Sequence, residues 1–239
     1  MSMTPHTGCV AYMKTNVNTL GMEKLFIYDF DGVISFLFER YDLVPHRKEM
    51  LETLLCYGLD ASKHENMFTV SELIESSDLP MDVKQKAFLD VDRILKNVEM
   101  EAIRNAEPVP GLMEIFPKVV DAGVHVAVAS NNNPEAVKSY LEKLFPEIEI
   151  PVWGRNSLHP EWLKPSPYML ERAIEYYGAE RENTIFFGDA VSDYEAALNA
   201  GVGFYGFIPS EKKKIRMEKV LPRDRLLLDW HELSAVLLS

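Results

Sequence analysis

Features that the sequence lacks exclude several classes of protein. Only two of the 239 residues are cysteines, Cys9 and Cys56, so we predict no disulfide framework and a reducing compartment. No apolar run approaches the roughly 20 residues that a membrane-spanning helix needs. Residues 1–21 also lack the continuous apolar stretch of a signal peptide, and we interpret them as a disordered extension. The sequence therefore predicts a cytoplasmic protein with no membrane partner.

Positive charge is also scarce. The chain has 25 lysines and arginines against 37 aspartates and glutamates, which gives a formal net charge of −12. This balance argues against a nucleic-acid partner, because such proteins gain affinity from a basic face that neutralises backbone phosphates. It permits a small anionic ligand, because a few cations and a metal ion can dominate one pocket. The short basic run Lys212-Lys213-Lys214 is interpreted as a solvated loop or helix face.

The distribution of apolar residues predicts a parallel α/β sheet. Continuous apolar runs, which are typical of strands buried on both faces, occur at Leu25–Tyr28, Val124–Ala129, Ile148–Trp153, Thr184–Phe187 and Gly203–Ile208. Segments with helical spacing precede or separate the later runs, at Leu112–Ala122, Pro134–Phe145, Pro167–Tyr177 and Asp193–Ala200. This alternation predicts a doubly wound, Rossmann-like parallel sheet.

Residues 35–107 do not follow that alternation. They are mainly helical in pattern, most clearly at Leu43–Leu55 and Asp82–Ala106. A helical block between the first strand and the rest of an α/β unit indicates an inserted subdomain, and Pro108-Val109-Pro110-Gly111 would form its return. We therefore predict a core made of residues 22–34 and 108–239, with an inserted helical subdomain at 35–107.

Polar side chains cluster where the apolar runs stop. Asp29 and Asp31 follow the first run, Ser130 and Asn131 follow the second, and Asp189 and Asp193 follow the run at 184–187; Lys164 precedes a predicted helix. Active sites of open α/β sheets lie outside the carboxyl ends of the strands, so we expect these residues to share one crevice. Taken singly, each residue could instead have an ordinary structural role. Asp189 could be a turn residue, and Asp193 could cap a helix.

Those residue types suit phosphate-ester chemistry. A carboxylate that attacks phosphorus forms an aspartyl-phosphate, and a second carboxylate can protonate the leaving oxygen and then activate water. Oxygen ligands together with a substrate phosphate suit Mg²⁺. Ser130 and Lys164 would supply a hydrogen bond and a positive charge to the phosphoryl oxygens.

In their order along the chain, these segments resemble the four motifs of the haloacid dehalogenase-like hydrolase superfamily. The matching segments are Asp29-Phe30-Asp31-Gly32, Ser130-Asn131, Lys164-Pro165 and Gly188-Asp189-Ala190-Val191-Ser192-Asp193, within roughly residues 24–208. The Pro108–Gly111 segment is similar to the return from a helical cap inserted after the first motif. The chain thus resembles the phosphoglycolate phosphatase and beta-phosphoglucomutase group.

The resemblance implies a role for each motif residue. Asp29 would be the nucleophile and Asp31 the general acid and base, while Ser130, Asn131 and Lys164 would bind phosphate. The implied Mg²⁺ ligands are the Asp29 side chain, the Asp31 backbone carbonyl and Asp189, with Asp193 nearby or acting through water.

The resemblance also limits which reactions of the superfamily the chain could catalyse. An acid at position 31 favours phosphatases and sugar-phosphate mutases over dehalogenases and phosphonate hydrolases, which lack it. We predict a phosphatase acting on a small phosphorylated metabolite, as a monomer or homodimer. A mutase is the alternative, and a catalytically silent binding protein a more distant one. Residues 33–40 depart from the sequence pattern common in relatives with such a cap, so the resemblance does not identify the substrate. Polar candidates for substrate contacts in the cap are Glu39, Arg40, Tyr41, Arg47, Lys63 and His64, although each is more typical of a solvated surface.

Overall fold

The computed structural model describes residues 24–63, 67, 70–208 and 210–237 of the chain. Its strands, in chain order, are β1 (Leu25–Tyr28), β2 (Ser35–Phe36), β3 (Glu107–Pro108), β4 (His125–Ala129), β5 (Val152–Trp153), β6 (Thr184–Gly188), β7 (Gly203–Phe207) and β8 (Leu226–Leu227). Six of these strands form a parallel sheet in the spatial order β5-β4-β1-β6-β7-β8. The interpretation of residues 1–21 lies outside the described residues.

The helices in the described ranges flank this sheet or lie in the segment after β2. They are α1 (Val44–Cys56), α2 (Val70–Ser76), α3 (Met81–Ala102), α4 (Leu112–Asp121), α5 (Pro134–Leu144), α6 (Tyr168–Tyr177), α7 (Val191–Ala200), α8 (Glu211–Met217) and α9 (Trp230–Leu237). None of them is both long and apolar enough to cross a membrane.

Strand β1 lies at the centre of the sheet and is buried on both faces. Ile27 is in register with Ala127 of β4 on one side and with Phe186 of β6 on the other. Phe26 and Tyr28 pack in a core with residues of α4, α5 and α9, whereas Leu25 and Ile27 pack in a second core with residues of α6 and α7. Burial on both faces explains why the strand reads as continuously apolar. The predicted doubly wound parallel α/β fold is confirmed.

Local sequence signals fix the residue at which α5 begins. Helix α5 begins after Asn133, whose side-chain oxygen accepts hydrogen bonds from the backbone N–H groups of Glu135 and Ala136. Pro134 occupies the first helical position, where its missing N–H costs nothing. These caps place the loop between β4 and α5 at the carboxyl edge of the sheet.

Helices α1 to α3, together called the α1–α3 unit here, have a buried core of their own. Met50 and Leu54 of α1, Ile74 of α2 and Ile94 of α3 belong to one apolar cluster separate from the two beside the sheet. The chain enters and leaves this unit side by side, because β2 and β3 pair antiparallel. The division of the chain into a core and a cap at residues 35–107 stays a prediction, and the packing of this unit is compatible with it.

Several elements differ from the sequence-based expectations. Helix α3 ends at Ala102 rather than Ala106, and β5 covers only Val152–Trp153 of the predicted run. Elements α8, β8 and α9 were not predicted at all. In α9 the side chain of Trp230 is fully buried, and its Nε1–H donates to the carbonyl of Val33 at 2.7 Å. This last helix therefore covers one face of the sheet beside β1.

Candidate active site

The two aspartates that follow β1 have different surroundings. The backbone N–H of Asp29 continues the strand pairing by donating to the carbonyl of Phe187 at 2.8 Å, and Asp29 is 8% exposed. Oδ1 of Asp31 accepts a hydrogen bond from the backbone N–H of Leu37 at 2.9 Å. Phe30 between them is fully buried in the apolar core. The chain bends at Phe30, whose ring enters the core, whereas the Asp29 carboxylate is near enough to Asp31 to raise the pKa of that group.

Lys164 joins two of the predicted motifs. Its ammonium nitrogen lies 2.8 Å from Oδ1 of Asp29 and 2.7 Å from Oδ1 of Asp193. Burial lowers the pKa of Lys164, but the carboxylates of Asp193 and Asp29 outweigh this effect, so the pKa is raised above its ordinary value. Lys164 is therefore a buried, charged ammonium at the carboxyl edge of the sheet, rather than a solvated loop lysine.

The absence of a side chain at Gly188 lets the loop after β6 pack tightly against Asp193. Oδ2 of Asp193 accepts hydrogen bonds from the backbone N–H groups of Asp189 and Ala190, both at 3.0 Å. A Cβ at Gly188 would lie 2.4 Å from the Cβ of Asp193, which is too close for any other residue type. Asp193 thus closes the first turn of α7 with one oxygen and meets Lys164 with the other.

Three of the predicted metal ligands are close enough to hold one cation. Carboxylate oxygens of Asp29, Asp189 and Asp193 all lie within 4.8 Å of one another. Among the described residues, Oδ1 of Asp29 and Oδ2 of Asp189 are buried yet accept no hydrogen bond of regular geometry, although a lysine ammonium lies near each. Buried carboxylate oxygens require a positive partner, and an all-oxygen set suits a hard divalent cation. These residues therefore fit a metal ion.

Burial also changes the acidity of the site. It raises the pKa of Asp31 to about 6, against the opposing effects of the Lys213 ammonium and the Leu37 hydrogen bond. Burial likewise raises the pKa of Asp193 to about 6, although Lys164 lowers it. A carboxyl group with a pKa in this range can donate a proton near neutral pH and then accept one.

The two residues after β4 have different partners. The Ser130 hydroxyl is buried and donates to Oδ1 of Asn132 at 2.9 Å. The Asn131 side chain bonds the backbone of Lys164, since its Oδ1 accepts from the Lys164 N–H at 2.9 Å and its Nδ2 donates to the Lys164 carbonyl at 3.3 Å. Asn131 therefore ties the loop that carries Lys164 to the end of β4. The phosphate-binding roles of Ser130, Asn131 and Lys164 stay predictions.

Lys213 is a site residue that the sequence analysis missed. It lies on α8, and its ammonium group pairs with Oδ2 of Asp189. The interpretation of residues 212–214 as a solvated face is therefore wrong for Lys213. Gly32 leaves room for this pair, because a Cβ there would overlap Asp189 and lie 2.7 Å from the Lys213 nitrogen. No sequence signal distinguishes Lys213 from its neighbours, because only the tertiary position of α8 brings it to the site.

Glu99, Asp92 and Arg155 form a second feature that was missed. Arg155 follows β5 and pairs with Glu99 and Asp92 of α3, and it also donates to the carbonyl of Asn131. The cap candidates proposed from the sequence show other contacts: Arg40 pairs with Glu107, and the Tyr41 hydroxyl donates to Glu101. His64 lies outside the described residues. The contact between α3 and the carboxyl edge of the sheet thus depends on residues that the sequence did not single out.

Together, the doubly wound sheet and the carboxylate cluster at its carboxyl edge are the features of an α/β enzyme. The chain belongs to the haloacid dehalogenase-like hydrolase family, whose model matches residues 26–207. The predicted family is confirmed, and the match spans the segments from β1 to β7 that carry every predicted site residue.

Individual relatives agree with this assignment. A D-glycero-alpha-D-manno-heptose-1,7-bisphosphate 7-phosphatase from Campylobacter jejuni is 39% identical over 54 residues, which are 23% of this chain and 31% of that protein. The chain therefore matches only about a third of the length of this curated relative.

Solved structures of similar fold cover almost the whole chain. A protein described as a haloacid dehalogenase-like hydrolase from Bacteroides fragilis superposes with a TM-score of 0.65 at 18% identity, covering 88% of this chain and 99% of the other. One described as a phosphoglycolate phosphatase from Lactobacillus delbrueckii gives 0.59 at 19% identity, covering 90% and 98%. One described as a beta-phosphoglucomutase from Thermotoga maritima gives 0.52 at 19% identity, also covering 90% and 98%. At these identities the likeness concerns the fold.

Proposed function

We propose that this chain is a Mg²⁺-dependent phosphatase that hydrolyses a small phosphorylated metabolite through an aspartyl-phosphate on Asp29. The observation that carries the proposal is the meeting of Asp29, Lys164, Asp189 and Asp193 at one edge of the sheet, in a chain of a hydrolase family. Carboxylates alone would repel a phosphate, so the site requires the positive charge that Lys164 and a metal ion supply.

The residues would act in two steps. A carboxylate oxygen of Asp29 attacks phosphorus, the bond from phosphorus to the leaving oxygen breaks, and Asp31 donates its proton to that oxygen. Asp31, now a carboxylate, then takes a proton from the water that attacks the aspartyl-phosphate, which releases phosphate and restores Asp29. The raised pKa of Asp31 suits both proton transfers.

The metal ion would be held by the side chains of Asp29 and Asp189 and the backbone carbonyl of Asp31, with Asp193 close by. When bound, it supplies positive charge that lets an anionic substrate approach anionic Asp29. Lys164 would hold a phosphoryl oxygen with its ammonium, and Ser130 would donate its hydroxyl proton to another. We also propose that the α1–α3 unit is the cap over this site.

A simple assay tests this function. The wild-type protein with Mg²⁺ should release phosphate from an aryl phosphate, and both EDTA and the Asp29→Asn substitution should abolish release. Asp121→Asn, which changes an exposed carboxylate at the end of α4, is the matched control and should retain wild-type activity. Turnover by Asp29→Asn at the wild-type rate would contradict the proposal, as would a folded wild-type protein inactive on a broad phosphoester panel.

A sugar-phosphate mutase remains the second candidate, because an acid at position 31 would serve both reactions. The two are separated by their products from a hexose phosphate. A phosphatase releases inorganic phosphate in proportion to substrate lost, whereas a mutase yields an isomeric sugar phosphate with little free phosphate.

A further inference from the structure

Glu99 of α3 is a completely buried carboxylate where the α1–α3 unit meets the loops of the sheet. Four hydrogen bonds reach its two oxygens: from both terminal nitrogens of Arg155, from the side-chain amide of Asn132 and from the backbone N–H of Asn133, at 2.9 to 3.0 Å. Burying a charge is costly unless it is paired and fully hydrogen-bonded, and Glu99 meets both conditions.

The bonds to Glu99 decide which way the Asn132 amide faces. A carboxylate can only accept, so the Nδ2 group of Asn132 must face Glu99, at 2.9 Å. The amide oxygen of Asn132 then faces the Ser130 hydroxyl, which donates to it at 2.9 Å. Glu99 thereby sets, through Asn132, the direction of the Ser130 proton.

Arg155 holds the same loop by a second route. Its Nη1–H donates both to Oε1 of Glu99 and to the carbonyl of Asn131, each at 2.9 Å, and its Nε–H donates to Asp92 on α3. The Arg155 side chain is only 8% exposed. One guanidinium group thus connects two turns of α3 to the loop that begins at Ser130.

We propose that Glu99 and Arg155 are positioning residues for residues 130–133, called the Ser130 loop here. They would couple the placement of the α1–α3 unit to phosphate binding by this loop. The inference rests on the proposed function, in which Ser130 donates its proton to phosphate. With Glu99 in place, Asn132 holds the Ser130 hydroxyl until a phosphoryl oxygen replaces the amide oxygen as acceptor. If α3 moves away, Asn132 and Asn133 lose their acceptor and the loop loses its defined geometry.

This role differs from a merely structural one. Stability alone does not require an ion pair here, because a buried pair can often be replaced by apolar residues of similar volume without loss. Such a replacement would keep α3 packed against the sheet, yet it would remove the acceptor that orients Asn132. Substitutions can therefore separate the packing of α3 against the sheet from the orientation of the Asn132 amide.

The experiment compares four proteins: wild type, Glu99→Gln, the apolar double variant Glu99→Leu/Arg155→Met, and Lys96→Ala. Lys96→Ala is the matched control, because Lys96 also links α3 to α5 but is partly exposed and bonds Glu135, at 2.6 Å, rather than Asn132 or Asn133. For each protein, calorimetry with Mg²⁺ present gives the affinity for inorganic phosphate. Steady-state assays give kcat and KM, and thermal unfolding gives Tm.

We expect Glu99→Gln to weaken phosphate binding and raise KM about tenfold, with a smaller effect on kcat, because orientation of Ser130 serves bound substrate and transition state alike. The apolar double variant should recover only part of the Tm that Glu99→Gln loses, because Asn132, Asn133 and Asp92 still lack their partners, and it should not recover phosphate affinity. Lys96→Ala should match wild type. Unchanged phosphate affinity in folded Glu99→Gln would overturn the proposal, as would recovery of affinity together with Tm in the double variant. A wild-type protein that binds phosphate but hydrolyses no phosphoester would overturn the proposed function, and the phosphate affinities would still decide the role of Glu99.

Discussion

At the scale of single residues, the site depends on a few buried charges whose partners lie on distant parts of the chain. Asp29 and Asp193 share the ammonium of Lys164, which lies in neither of their loops. Each aspartate alone is an ordinary residue for a turn or a helix cap, and Asp193 does serve as a cap. The chemical role follows from their convergence rather than from any one motif.

Asp31 should make stability depend on pH. Because burial raises its pKa in the folded protein to about 6, the folded state keeps a proton that the unfolded chain releases near pH 4. The free energy of unfolding therefore falls as the pH rises through this window. In metal-free protein, Asp31→Asn should remove this penalty and stabilise the fold at pH 7 by roughly 2 kcal/mol, or a few degrees in Tm, with little gain at pH 4.

Thermal unfolding in EDTA at both pH values checks this prediction. Asp121→Asn serves as the control for loss of an exposed carboxylate and should leave Tm unchanged at either pH. An Asp31→Asn variant that is less stable than wild type at pH 7 would mean that the folded protein stabilises the charged carboxylate instead.

At the scale of elements, helix α8 brings a cation to the site that the family resemblance did not include. Lys213 pairs with Asp189, one of the proposed metal ligands, so its ammonium would compete with a metal ion for the charge of that carboxylate. Lys213→Ala should therefore raise the affinity for Mg²⁺ about two- to fivefold, the equivalent of a partly exposed ion pair. Titration calorimetry without substrate measures this directly.

Lys214→Ala is the control for that measurement, because Lys214 lies on the same helix and pairs with Glu211 at 3.5 Å. It should bind Mg²⁺ as the wild type does. Weaker binding of Mg²⁺ by Lys213→Ala would show that the lysine supports the metal site rather than competing with the metal.

The sequence predicts some elements well and others not at all, for a physical reason. Strands such as β1 are buried on both faces, so their continuous apolar runs are visible without any tertiary information. The two-residue β8 is too short to show a pattern, and it exists because it pairs with β7. Helix α9 depends on Trp230 filling a space beside Tyr28, a contact between residues about 200 positions apart.

The same reason limits prediction of the site. Asp29, Asp31 and Asp189 closely follow the ends of β1 and β6, and Asp193 lies in the first turn of the helix after β6, so the topology of a parallel sheet brings them to one edge. Glu99 and Lys213 lie within helices, where acidic and basic residues are normally solvated, and only the packing of α3 and α8 directs them inward. Motifs at strand ends were therefore predictable, and their supporting partners were not.

At the scale of the whole molecule, the carboxyl edge that we propose to bind phosphate lies beside a helical unit with its own core. The sheet and its loops contain the residues of the proposed reaction. The α1–α3 unit contacts these loops through Glu99 and Asp92 on α3. Substrate choice would then depend on how this unit meets the sheet, because the carboxyl edge itself contacts only the phosphoryl group in the proposed mechanism.

Direct detection of a phosphorylated Asp29 tests the central claim most sharply. In Asp31→Asn, an aryl phosphate needs little help with its leaving group, but the water step lacks its base, so the aspartyl-phosphate should accumulate. Borohydride reduces an acyl phosphate to an alcohol, which would convert Asp29 to homoserine, and peptide mass spectrometry reads the change. We predict homoserine at position 29, dependent on substrate and Mg²⁺. A protein that turns over substrate but shows no such conversion, or shows it at another aspartate, would contradict the account.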